Sequence, residues 1–218
     1  MSATRILFIG NSFTNRNDLP GMLTGLAAAA RPGFDVETGR VIANGRALKT
    51  HWERAEARHA IASSRWDYVV LQEQSTLPLK NAPRMHEYVR SFDGEIRKSG
   101  ARTVLYMTWA RRHEFERQAE LAKAYTDVGR EIGAIVVPVG FAWQRVLSHH
   151  HNIVLHDKDN SHPNLAGSYL AACVFFATLF GRNPAECEAA HVPGLDRIGT
   201  EVCRVLRETA WETVRTLA

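Results

Sequence analysis

Short apolar runs alternate along this chain with longer stretches whose apolar side chains recur every three or four positions. Ile6-Leu7-Phe8-Ile9 is an unbroken apolar run, too short for a helix, and it predicts a first strand over Arg5–Ile9, buried on both faces. Leu19–Ala30 is alanine-rich and predicts a helix, which Arg31-Pro32-Gly33 stops. Phe34–Ile42 reads as a second strand, Leu48–Ala62 as a helix and Asp67–Leu71 as a third strand. Pro83–Lys98 carries Met85, Tyr88, Val89, Phe92 and Ile96 near helical spacing, and Gly100 is a C-terminal stop. Thr103–Thr108 is a fourth strand, Phe115–Ile132 a helix ended by Gly133, and Ala134–Val139 a fifth strand. Pro163–Phe180 predicts a buried helix with Pro163 at its first position, and Leu195–Leu217 a final amphipathic one.

Strands that alternate with helices imply an α/β fold, a parallel sheet covered on both faces with right-handed crossovers. No internal repeat and no Pro/Gly/Ser-rich linker interrupts the 218 residues, so one domain over 1–218 is expected. The hydrophobic fraction of 45% and charged fraction of 23% are ordinary for a globular protein. Net charge is +4, from scattered arginines. The densest basic cluster, Arg111-Arg112-His113, is too short for a nucleic-acid footprint, so no nucleic-acid partner is expected. No run of about 20 apolar residues is present to span a bilayer, so no membrane association is expected. Cys173, Cys187 and Cys203 are odd in number and lack metal-ligand spacing, which suggests free thiols in a reducing compartment. With no apparent signal peptide, a cytoplasmic location is the expectation. The last helix and Trp211 suit either closure of the core or a dimer face, so the oligomeric state is left open.

The chemistry starts where the first strand ends. Gly10-Asn11-Ser12 breaks the apolar run, and a serine just past the carboxyl end of a strand sits where open α/β sheets bind ligands. A serine hydroxyl is a weak nucleophile until a base takes its proton, and a histidine oriented by a carboxylate is the usual base. Asp159-Asn160-Ser161-His162 supplies that pair near the other end of the chain. Ser12, Asp159 and His162 together argue for acyl transfer, although a serine after Gly-Asn also serves as a turn residue or helix cap. The loops after the strands gather on one rim of such a sheet. Trp109, Phe141 and Trp143 fall there and suit an apolar or sugar-stacking wall, or core packing. Arg111, Arg112 and His113 suit an anionic group or a solvated helix start. His149-His150-His151 invites a metal reading, but three successive histidines cannot reach one ion from ordinary backbone, and no metal is expected.

These residues resemble the sequence blocks of the SGNH hydrolases, also called GDSL-like esterases. Gly10-Asn11-Ser12 resembles the first block, with Asn11 where Asp is commoner. Asn44-Gly45 resembles the second, whose glycine lends a backbone N–H to the oxyanion hole, and Asp159-x-x-His162 the fifth. The third block, usually Gly-x-Asn-Asp, is here Gln72-Glu73-Gln74-Ser75. Some carbohydrate acetylesterase branches also place a glutamine near this point. Alignment on the strand end selects Gln74 for the oxyanion hole, and alignment on a Gln-Gly-Glu pattern selects Gln72. Both side chains leave an extended chain on the same side, so both stand. Glu73 reads equally as a buried carboxylate orienting the glutamines or as an exposed loop charge.

The resemblance covers residues 4 to about 180. It implies a three-layer flavodoxin-like fold with a five-stranded parallel sheet in the order 2-1-3-4-5. It also implies a cofactor-free serine esterase with His162 as base, Asp159 as its orienting carboxylate, and Ser12, Gly45 and Gln74 or Gln72 as oxyanion donors. The expected partner is a small-molecule ester, with acetyl groups on a carbohydrate favoured by the glutamine-bearing block and the aromatic rim. A thioesterase or lysophospholipase is the alternative, as is a catalytically silent carbohydrate-binding protein of the same fold.

Overall fold

The computed structural model describes residues 3–187 and 192–217. In β1 (Thr4–Gly10), Ile6 and Phe8 face one side of the sheet while Leu7 and Ile9 face the other, and all four are buried. Such a strand has no polar face to leave in water, so it belongs at the centre of a covered sheet. β1 is flanked by β2 (Val36–Ile42) and β3 (Tyr68–Leu71), followed by β4 (Arg102–Tyr106) and β5 (Ile135–Val137). The order is β2-β1-β3-β4-β5 and every neighbouring pair is parallel, as expected. The order reverses between β1 and β3, the switch point outside which ligands bind in this class of sheet.

Two layers of helix bury the two faces. On one lie α2 (Leu19–Ala29), α8 (Val139–His149), α9 (Leu165–Phe180) and α10 (Thr200–Leu217). On the other lie α3 (Leu48–Glu53), α4 (Glu56–Ser63), α6 (Ala82–Lys98) and α7 (Gln118–Ile132). Two one-turn helices, α1 (Ser12–Asn15) and α5 (Leu77–Lys80), follow β1 and β3. In α9 every residue from Gly167 to Ala177 is buried, because α2 and α10 cover it and the sheet lies beneath. Cys173, Cys187 and Cys203 are unbridged, and burial raises each thiol above its ordinary pKa.

Several elements depart from the sequence expectation; the fourth strand ends at Tyr106 and α7 starts at Gln118. The helix over Leu48–Ala62 is two helices, broken at Ala55, whose φ of 60° is left-handed. Helix α8 was not anticipated, and it takes Val139 from the fifth strand; Val139, Ala142, Trp143 and Val146, at i, i+3, i+4 and i+7, form its buried stripe. Helix α9 starts at Leu165 because the side chain of Asn164 accepts from Gly167 N–H and caps it, leaving Pro163 outside. Helix α10 starts at Thr200, after Gly199 turns the chain with a φ of +87°.

Candidate active site

Strand β1 runs into its turn through Gly10, and a Cβ there would lie 2.6 Å from Gln72 Oε1 and 2.7 Å from Thr14 Oγ1. Only glycine leaves room for Gln72 beneath the turn. The side chain of Asn11 accepts from Phe13 N–H at 3.1 Å, which makes Asn11 the cap and Ser12 the first residue of α1. The Ser12 N–H finds no acceptor among the described residues. Ser12 Oγ lies 2.8 Å from His162 Nε2, although the two are 150 residues apart. His162 Nδ1 lies 2.5 Å from Asp159 Oδ2. Asp159 Oδ1 accepts from the N–H groups of Ser161 at 3.0 Å and His162 at 2.9 Å. Desolvation works to raise this carboxyl, but the hydrogen bonds from the His162 ring and the two N–H groups outweigh it and hold Asp159 well below the usual carboxylate range. A carboxylate on Nδ1 keeps the hydrogen there and leaves the Nε2 lone pair for the hydroxyl.

The loop that carries Asp159 and His162 is closed on itself and pinned from outside. Asp157 N–H donates to the His162 carbonyl at 2.8 Å and Asn160 N–H to that of Asp157 at 2.9 Å. Arg16 pairs with Asp157 at 2.5 Å, and Asn17 Nδ2 donates to the Pro163 carbonyl at 3.2 Å. The nucleophile segment is therefore tied to both ends of the histidine loop. Arg112 is exposed and its N–H donates to the Asn160 carbonyl at 3.0 Å.

Trp109 does not form a substrate wall. It is 1% exposed and stacks between Phe13, at 4.8 Å, and Trp143, at 3.6 Å. Its Nε1–H donates to the Ser161 carbonyl at 3.0 Å. One indole thus braces the residue after Ser12 and the residue before His162. Phe141 is displaced from the expected rim as well. Two residues apart on a helix are about 200° apart around its axis. Trp143 therefore enters the core, while Phe141 packs toward the α7 side and lines a groove with Gln144, Arg145, Thr213 and Leu217. None of Ser12, Asp159 or His162 lines that groove.

The third block separates its two glutamines. Gln72 is fully buried, and its Oε1 accepts from Asn11 N–H at 2.9 Å and Thr14 Oγ1–H at 3.0 Å. Its Nε2 donates to the Glu73 carbonyl at 2.5 Å. Its oxygen holds the nucleophile turn, one of its two Nε2 hydrogens is engaged and the side chain is fully buried, so Gln74 is the freer of the two glutamines. Gln74 Oε1 accepts from Thr76 N–H, Thr76 Oγ1–H and Leu77 N–H at 2.9, 3.0 and 3.1 Å. Three donors on one oxygen fix the amide's orientation, and its Nε2 hydrogens meet no acceptor among the described residues. Gly45 is exposed with a φ of +70°, a conformation that favours glycine, and its N–H is likewise free of acceptors among the described residues.

Three further groups support the site. Asn11 Nδ2 donates to the Arg46 carbonyl at 3.0 Å, tying the turn after β1 to the Gly45 loop. An aspartate cannot make this bond, which accounts for Asn11. His51 is buried and its Nε2 donates to the Gly10 carbonyl at 2.9 Å, with burial lowering its pKa. Glu73 is fully buried, so of its two expected roles the exposed loop charge falls away. Its Oε1 accepts from Leu48 N–H at 3.1 Å and Gln74 N–H at 2.6 Å. Burial pushes its pKa up to about 7, against those hydrogen bonds.

No family model matches this chain, and no curated protein matches it. Solved structures do. A candidate SGNH hydrolase from Slackia heliotrinireducens is similar at 28% identity and a TM-score of 0.72, over 82% of this chain and 100% of that one. A DUF4886 family protein from Bacteroides uniformis is 20% identical with a TM-score of 0.79, over 98% of this chain and 95% of that one. An acetylxylan esterase from Geobacillus stearothermophilus, solved as a catalytic mutant, is 15% identical with a TM-score of 0.59, over 82% and 95%. The last two, at such identities, speak to the fold alone. No helix among the described residues is long and apolar enough to cross a membrane.

Proposed function

Because the chain belongs to the SGNH hydrolases, we propose that it is a serine esterase that removes small acyl groups, acetyl first among them, from an alcohol such as a carbohydrate. One observation carries the reading: Ser12 Oγ, the His162 ring and the Asp159 carboxylate stand in hydrogen-bonding sequence at 2.8 and 2.5 Å. Ser12 Oγ attacks the ester carbonyl as its proton passes to His162 Nε2. Asp159 holds the imidazole in the required tautomer and stabilises its charge. The negative charge on the former carbonyl oxygen is met by the Ser12 and Gly45 N–H groups and by Gln74 Nε2. Collapse of that adduct expels the alcohol, which takes the proton from His162. Water, deprotonated by the same histidine, then releases the acid from Ser12. The free state of all three donors supports their role, since a donor aimed at developing charge must have no prior partner. The acetyl preference rests on the glutamine-bearing third block, Gln72-Glu73-Gln74-Ser75.

Mass spectrometry of the intact protein after treatment with a fluorophosphonate tests the reading. One adduct is expected on Ser12, absent in Ser12→Ala and strongly reduced in His162→Ala. Acetylated sugars should then be turned over faster than long-chain esters. A wild-type protein that takes no adduct and hydrolyses no ester refutes it.

A further inference from the structure

We propose that Glu73 is the positioning residue of the oxyanion hole, its buried Oε1 joining the loop that carries Gly45 to the loop that carries Gln74. The inference rests on the serine-esterase reading above. Two candidate donors come from chain segments on either side of β1: Gly45 follows β2, and Gln74 follows β3. Something must hold them at one spacing if both are to meet one oxygen.

Glu73 Oε1 is the atom that does so. It takes Leu48 N–H, three residues after Gly45, at 3.1 Å and Gln74 N–H at 2.6 Å. Leu48 opens α3, whose cap position is Ala47, a residue with no side chain able to accept. Glu73 therefore accepts one of the orphan N–H groups at the start of α3. The same loop is also held by Asn11 Nδ2 on the Arg46 carbonyl, by Ala43 N–H on the Gly10 carbonyl and by its own turn bond from Arg46 N–H to the Ala43 carbonyl, each at 3.0 Å. Those bonds shape the turn and tie it to the end of β1, and the Glu73 bond ties it to the segment that carries Gln74.

The second carboxyl oxygen, Oε2, is buried with no hydrogen-bond partner among the described residues. Tyr125 of α7 and Arg84 of α6 interact electrostatically with Glu73 from the helices packed against it. Burying a carboxyl group with one oxygen unsatisfied works against stability. A plain structural role would be met as well by an apolar side chain, whereas two converging N–H groups require an acceptor.

The test compares Glu73→Met, which keeps the volume and removes the acceptor, with Glu73→Gln, which keeps Oε1. For Glu73→Met, kcat on an acetyl ester is expected to fall toward the roughly 10²-fold or greater loss that accompanies a missing oxyanion donor, with KM nearly unchanged. Glu73→Gln is expected to keep kcat close to wild type. A folded Glu73→Met protein with wild-type kcat overturns the inference and leaves the esterase reading standing. A tenfold or larger loss in Glu73→Gln, about 1.4 kcal/mol in the barrier, overturns it too, even where the methionine variant fails to fold. Absence of both Ser12 labelling and ester hydrolysis in the wild type overturns the inference together with the reading it rests on.

Discussion

Replacing Trp109 by phenylalanine separates a brace from a substrate wall. The substitution keeps an aromatic ring between Phe13 and Trp143 but deletes the Nε1–H that Ser161 accepts at 3.0 Å. Ser161 is 9% exposed, so water reaches its carbonyl poorly. A buried acceptor left without its donor costs about 1–3 kcal/mol. The smaller ring also leaves a void in a stack that is 1% exposed, and the two effects together make about 2–4 kcal/mol a reasonable loss of stability. For a chain of this size that lowers Tm by about 4–16 °C. The freed carbonyl belongs to the residue before His162, and displacement of a reacting group by about 1 Å can cost about 10² in rate. The expected result is a fall in kcat of roughly ten- to a hundredfold, the same factor for acetyl and butyryl esters, with KM unchanged. Steady-state kinetics on two esters and a thermal melt read all three quantities. A raised KM that depends on the ester, with Tm and kcat intact, would refute the reasoning and return the indole to the substrate's side.

Other substitutions follow from the same geometry. Asn11→Asp keeps the cap on Phe13 but turns the donor facing the Arg46 carbonyl into an acceptor; urea denaturation should show a loss of about 1–3 kcal/mol, and an unchanged midpoint would dismiss the tether. Asp159→Asn is expected to lower kcat by about 10⁴ at unchanged KM, by allowing the wrong histidine tautomer. Stability should also depend on pH through Glu73. Burial keeps it protonated in the fold up to about pH 7, while the unfolded chain ionises it near its ordinary 4.5. Unfolding then releases a proton between those values, and stability falls by about 3 kcal/mol as pH rises through that window. Denaturation of Glu73→Gln across the same range should show the slope removed; an identical slope would mean that another group sets it.

The alternation of short apolar runs and amphipathic stretches was enough to read five strands, their parallel pairing and the layers that cover them, because a strand's period and its lack of a polar face are local properties. Ser12 and the Asp159–His162 pair were legible for a related reason: each lies in a short block whose chemistry is local. The partners of the third block were not. Gln72 and Gln74 leave the strand end on the same side, and only the space above Gly10 and the hydrogen bonds from Asn11 and Thr14, residues 61 and 58 positions away, decide that Gln72 is scaffold. Trp109 and Phe141 were misplaced for the same reason. Rim position follows from strand order, but whether an aromatic ring faces solvent depends on what packs over it. Phe13, Trp143 and the Ser161 carbonyl claim Trp109, and the unanticipated helix α8 turns Phe141 away. A period of two or of 3.6 encodes a face; the identity of the group that meets that face is set by contacts at long sequence separation, which exist only once the chain has closed.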